Sequence, residues 1–282
     1  MPLTLTDIIK LGYIPRNTTV WADCLEALKY IADKSVDFLF TDLPYGTTKA
    51  KWDTCLNLEI FWREVKRVLK PNGCVALFAQ TPFDKVLGCS NLEMLRYEWV
   101  WEKTSATGGM NAKKMPMKAH ENILFFGEEE NFVMHENILI YYKALPTYNP
   151  QKTFGHVRKV SKAKNRAACI ERRNLLDDGL YNKEYADRVE DYDSTERYPR
   201  SVLKFASDKQ TLSLHNCQKP VDLCEYMIAT YSNENELVVD LCAGSCSIGR
   251  AAKNLKRDYI NIEIEEKFAI IGQTRMLPEI GL

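Results

Sequence analysis

Several features are missing from this chain, and each absence closes off a class of function. No stretch approaches the roughly 20 consecutive apolar residues of a membrane-spanning helix, so no membrane partner is expected. Met1 to Lys10 lacks the basic-then-apolar pattern of a secretory leader. The formal net charge is zero, with 38 basic and 38 acidic residues. Any nucleic-acid surface must therefore be local rather than global. Internal repeats and low-complexity tracts are absent. The nine cysteines show no small-scaffold spacing, which fits a reducing cytoplasm. Cys242 and Cys246 are separated by three residues, looser than a zinc pair, and no metal site is expected.

What is present begins with Phe38-Leu39-Phe40-Thr41-Asp42-Leu43-Pro44-Tyr45-Gly46. Val36 to Phe40 reads as a buried parallel strand that Pro44 and Gly46 bring to an end. Ligands of open α/β sheets sit beyond the carboxyl ends of strands, which puts Asp42 and Tyr45 over the crevice. A carboxylate accepts hydrogen bonds and an aromatic face stacks on a flat ring, so together they suit a planar base with an exocyclic amine. An ordinary Asp-Pro turn gives the same local pattern.

The remaining elements follow the same alternation of strand and helix. Thr19 to Asp23 reads as a strand leading into a helix through Leu25, Leu28 and Ile31, with Asp23 either a helix cap or a ligand contact. A helix carrying Phe61, Val65, Val68 and Leu69 stops at Pro71-Asn72-Gly73, and strands are expected over 74–78, 97–101 and 123–126. Lys103 to Lys118 reads as a loop whose basic residues could meet phosphate. The fold class is α/β, a doubly wound and mostly parallel sheet.

Residues 143–173 hold nine Lys or Arg against one acid, Glu171. Among them Lys152, Arg158, Lys159, Lys162, Lys164 and Arg166 are the candidate nucleic-acid contacts, with Tyr148 and Phe154 interleaved. A solvated charge run is the alternative. The acidic stretch 175–196 that follows is expected to balance the count without cancelling the local field. The resulting organisation is a first half over 1–126, an inserted lobe over 127–204 and a second half over 205–282.

The second half contains Asp240-Leu241-Cys242-Ala243-Gly244-Ser245-Cys246-Ser247-Ile248-Gly249, a strand entering a small-residue turn and a helix. Gly244 permits close approach of a ligand, and Gly249 tight packing of the helix on the sheet. Glu263, 23 residues after Asp240, ends the next strand, where an acid can take both ribose hydroxyls. This turn has neither the dinucleotide G-x-G-x-x-G nor the Gly-Lys-Ser/Thr of a phosphate loop. A nucleoside cofactor without phosphates, such as S-adenosylmethionine, fits.

With both stretches placed, the chain resembles the beta-class amino methyltransferases that act on DNA bases. The resemblance rests on Asp42-Leu43-Pro44-Tyr45 for the D-P-P-Y motif, Asp240 to Gly249 for the cofactor turn, and His215-Asn216-Cys217-Gln218-Lys219-Pro220 just before it. Val20 to Leu25, Arg67 to Gly73 and His120 to Leu124 also match family segments. One departure is Leu43 in place of the first proline, which keeps the backbone carbonyl but not the fixed φ. The resemblance implies a seven-stranded, Rossmann-like methyltransferase sheet and transfer to adenine N6 of a specific duplex sequence after base flipping. Cytosine N4 or an RNA base is the alternative within that chemistry, and a silent nucleic-acid-binding module lies outside it. Asp42, Leu43, Pro44 and Tyr45 would be catalytic. Asp23, Gln218, Lys219, Pro220, Asp240, Cys242, Ala243, Gly244, Ser245 and Glu263 would bind the cofactor. Duplex DNA, a companion restriction nuclease and a second copy of the chain are the implied partners, in a bacterial or phage-infected cytoplasm.

Overall fold

A computed structural model describes residues 1–48, 50, 52–107, 117–127, 146–164, 191–208, 214–215 and 217–277. Arg166, the ends of the basic block (143–145 and 165–173) and most of the acidic block after it lie outside the described residues.

The chain divides into two compact units, one made of 1–133, 138–149 and 201–282, the other of 134–137 and 150–200. The larger unit is built on a nine-stranded sheet. In chain order its strands are β1 (Leu3–Thr4), β2 (Thr18–Trp21), β3 (Val36–Thr41), β4 (Leu69–Ala79), β5 (Leu95–Thr107) and β6 (Lys118–Gly127). The smaller unit contributes β7 (Lys159–Ser161) and β8 (Tyr192–Ser194), and the sheet resumes with β9 (Val202–Phe205), β10 (Leu237–Asp240) and β11 (Asp258–Glu263).

The spatial order is β1-β2-β11-β10-β3-β4-β6-β5-β9. All neighbours are parallel except β4–β6 and β6–β5, so the mostly parallel expectation holds. The count exceeds the seven-stranded type because the short β1 extends one edge and β9 the other. Val202 to Lys204, assigned by sequence to the inserted lobe, instead pair in parallel with Val100 to Glu102. Four residues with one buried side chain among them carry too little pattern to announce an edge strand.

β3 and β10 lie side by side at the centre, and the chain leaves them in opposite directions, β3 toward β4 and β10 toward β11. That is a topological switch point, where the loops after two adjacent strands part and leave a crevice. Both faces of β3 are covered, which explains its unbroken burial. Leu39 packs with Val239 and Ile260 on one side; Phe38 and Phe40 pack with Met227, Ile228 and Tyr231 of the helix Val221–Tyr231 on the other. Tyr231 also ties that helix to the sheet, accepting from Trp99 Nε1 at 2.6 Å and lying 2.8 Å from the Tyr97 hydroxyl.

After β10 the chain enters the helix Ser247–Asn254. A Cβ on Gly249 would fall 2.3 Å from the Asn261 side chain of β11, so only glycine lets this helix sit against the sheet. Lys103, expected in a loop, lies within β5 with its side chain 10% exposed.

Candidate active site

A cavity of about 410 Å³ lies beyond the carboxyl ends of β3 and β10. Asp42, Leu43, Pro44 and Tyr45 line it from the β3 side. Asp240, Cys242, Ala243, Gly244 and Ser245 line it from the β10 side, with Glu263 from β11 and Asp23 from the loop after β2. Gln218 and Lys219 complete this set. Pro220 does not line the cavity. It stands in extended backbone (φ −62°, ψ 132°) just before the first turn of the helix Val221–Tyr231.

Asp42 is the centre of a charged cluster. Its Oδ1 accepts the Tyr45 hydroxyl at 2.7 Å, and its Oδ2 accepts from the Lys219 ammonium. Lys219 also lies 3.6 Å from Glu121 Oε2, and Lys103 donates to Glu121 Oε1 at 2.5 Å. Burial pushes the Asp42 carboxyl above its ordinary value, with Lys219 pulling the other way. Burial also disfavours the Lys219 ammonium, yet Asp42 and Glu121 outweigh it and drive the group upward, so it keeps its proton. For Glu121 the penalty of burial is overcome by Lys219 and Lys103, and its carboxyl is held low.

Tyr45 presents one ring face to Phe83, at 5.0 Å between centroids and 23° between planes. Leu43 is 2% exposed and fills the core beneath the turn, so the residue that departs from proline is a packing residue here. Asp53 secures the outer rim. Its carboxylate accepts from the backbone N–H of Gly46 at 2.8 Å, Thr47 at 3.0 Å and Thr48 at 2.6 Å. Burial alone would raise its pKa, but these hydrogen bonds win and lower it.

The other half of the cavity is acidic and less neutralised. Asp240 Oδ1 accepts from Thr41 Oγ1 at 2.8 Å and from the Cys242 N–H at 3.2 Å. Burial nevertheless pushes Asp240 up to about 7. Glu263 accepts the N–H of Gly244 at 2.6 Å on one oxygen and that of Glu265 at 2.8 Å on the other, and burial raises it too. No lysine or arginine pairs with either acid among the described residues. Gly244 has φ +50°, and a Cβ there would come within 3.4 Å of the His215 ring. His215 accepts the Cys217 N–H on Nδ1 at 3.1 Å and meets Phe268 edge-on at 4.2 Å. Asp23 lines the cavity, and its Oδ1 caps the helix Cys24–Leu28 through Leu25 and Glu26, the cap reading of the sequence.

Sequence reasoning missed Glu121, Lys103, Phe83 and the tether role of Asp53. The first two lie on strands outside both motif-bearing turns, and the antiparallel pairing of β5 with β6 brings them together. Their signal was a charged residue inside an aromatic strand.

The smaller unit holds the candidate nucleic-acid residues. β7 and β8 pair antiparallel, which sets the basic stretch against the acidic one. Arg158 bonds Asp193 at 2.7 and 2.5 Å, Lys162 bonds Asp191 at 2.8 Å and Lys152 bonds Glu196 at 2.9 Å. At these three positions the local field is neutralised, contrary to the expectation from the sequence count. Lys159 and Lys164 are exposed.

Comparison with known proteins gives a consistent picture. A family model described as DNA methylase, of the N6/N4 type, matches residues 36–273. The type II methyltransferase M1.MboII of Moraxella bovis is 26% identical over 262 residues, covering 87% of this chain and 91% of its own. The DNA adenine methyltransferase YhdJ of Escherichia coli K12 is 28% identical over 273 residues, covering 92% and 82%. Among solved structures, the M1.HpyAVI–SAM complex superposes with a TM-score of 0.60 at 20% identity, covering 92% of this chain and 98% of that one. At that identity the likeness concerns the fold.

Proposed function

We propose that this chain, which belongs to the family of N6/N4 DNA methylases, methylates the exocyclic amine of adenine in a specific duplex DNA sequence, using S-adenosylmethionine. The observation that carries the reading is the meeting of Asp42 and Tyr45 with Asp240 and Glu263 around one cavity. The aspartate-first motif and the adenine methyltransferase among its relatives favour adenine over cytosine N4.

The cavity suits the cofactor. Its volume is within the usual range for small-ligand sites. Two buried carboxylates without basic partners among the described residues suit the groups such a ligand offers: Glu263 would take the ribose hydroxyls, and Asp240 with Cys242 to Ser245 and Gln218 would hold the methionine end. Asp23 would take the adenine amine. S-adenosylmethionine supplies an electrophilic methyl group on a sulfonium centre.

The rest is done by the protein's own side chains. The target base leaves the duplex, since its amine is otherwise occupied in pairing. Tyr45, supported by Phe83 behind it, stacks on the extruded ring. The Asp42 carboxylate and the Leu43 carbonyl accept the two amine hydrogens and turn the nitrogen lone pair away from the ring. Holding that geometry is the main source of rate. Asp42 is also placed to hold the proton the amine gives up. The smaller unit, through its exposed Lys159 and Lys164, would bind duplex phosphates. A companion nuclease fits the type II relatives.

The test is transfer of labelled methyl to unmethylated duplex DNA, followed by mass spectrometry of the digested nucleosides. N6-methyladenine supports the reading; N4-methylcytosine reassigns the target, and methylation of RNA alone overturns it.

A further inference from the structure

Asp42 is engaged on both oxygens, with Tyr45 on one and Lys219 on the other. An ammonium bonded there stands where a target amine must donate, and it opposes the positive charge that the amine nitrogen gains on methylation. The lysine therefore has to yield.

The structure also contains a place for it. Glu121 Oε2 is buried, has no hydrogen bond of ordinary length, and meets Lys219 Nζ in a long ion pair at 3.6 Å. An ionised oxygen in the interior whose cation contact is longer than a hydrogen bond is poorly compensated. The other oxygen, Oε1, is held by Lys103 at 2.5 Å, which fixes the carboxylate in orientation. A displacement of Nζ of about 1 Å would bring it to charge-assisted hydrogen-bond length. The four groups, Lys103, Glu121, Lys219 and Asp42, sum to zero charge, so the move creates no net buried charge. The ionised state of both partners is supported by the upward shift of Lys219 and the downward shift of Glu121.

We infer that Glu121 is a positioning residue that receives the Lys219 ammonium when the target amine takes its place on Asp42. The inference rests on the proposed role of Asp42 as amine acceptor. It makes Lys219 an exchangeable partner of Asp42 that withdraws when a base bearing an amine enters. A base without that amine leaves the lysine where it is.

The test compares the wild type with Glu121→Gln on two unmethylated duplexes carrying the target site. In one the target base is natural; in the other it lacks the exocyclic amine, purine for adenine or 2-pyrimidinone for cytosine. The wild type binds the amine-bearing duplex more tightly. Glu121→Gln, with a neutral acceptor, loses about tenfold of that preference, while affinity for the amine-free duplex and for the cofactor stays within about twofold. An unchanged preference, or an equal loss on both duplexes, overturns the inference and leaves the proposed function standing. A wild type that transfers no methyl to DNA and shows no preference overturns that function and the inference with it. Should the variant fail to fold, a structure of the wild type with cofactor and amine-bearing duplex decides: Nζ on Glu121 Oε2 supports the exchange, and Nζ still on Asp42 refutes it.

Discussion

Thr41 and Asp240 are 199 residues apart in sequence, yet the Thr41 hydroxyl donates to Asp240 Oδ1 at 2.8 Å. The same hydroxyl oxygen accepts the N–H of Leu241 at 3.2 Å and of Cys242 at 3.1 Å. One side chain thus joins the end of β3, which presents Asp42, to the end of β10, which begins the cofactor turn. Thr41→Val keeps the shape and deletes the hydroxyl. All the groups it served are buried or nearly so, and a buried group left without its partner costs about 1–3 kcal/mol. Denaturant unfolding should show a loss of that order, and calorimetry should show weaker cofactor binding at pH 7.

Asp240 gives two pH dependences of opposite sign. Its folded-state value of about 7 lies above that of an unfolded aspartate, so the native protein keeps a proton the unfolded chain has lost. The stability it contributes is fully present below about pH 4 and is lost as the pH rises to about 7, with a ceiling of roughly 4 kcal/mol. Cofactor affinity should move the other way, strengthening between about pH 6 and 8 as the carboxylate ionises. Asp240→Asn should flatten both profiles. Unfolding and binding titrations across this range check the pair, and parallel trends would contradict the assignment.

Asp42→Asn should separate chemistry from binding. The amide keeps the size of the side chain but offers Lys219 and the target amine a donor where they need an acceptor. Methyl transfer should fall at least about a hundredfold, with cofactor affinity changed by less than about threefold. Steady-state kinetics and calorimetry on the same preparation measure the two, and an equal fall in both would remove Asp42 from the chemistry.

In the smaller unit, ion pairing sorts the basic residues. Lys159→Ala and Lys164→Ala each remove an exposed ammonium, and each should lower the slope of log affinity against log salt by about one. Arg158, Lys162 and Lys152 must first leave Asp193, Asp191 and Glu196 to reach a phosphate. Their replacement by alanine should change the slope less. Binding to duplex DNA over a range of salt concentrations distinguishes the two groups.

The sequence by itself determined the αβ alternation and the two motif-bearing strand ends. Asp42 follows a run that can only be buried on both faces, and Asp240 precedes a glycine turn whose spacing to Glu263 is a local matter of strand, helix and strand. Periodicity and turn chemistry act over a few residues, so these features are legible in one dimension. Tertiary structure decided the rest. Which strands become neighbours placed Thr41 against Asp240, and antiparallel pairing of β5 with β6 placed Lys103 against Glu121. The pairing of β7 with β8 set Arg158 on Asp193, turning a basic run into an ion-paired surface at three positions. A charge count along the chain cannot foresee this, because Coulomb interactions depend on distance in space and not on separation in sequence.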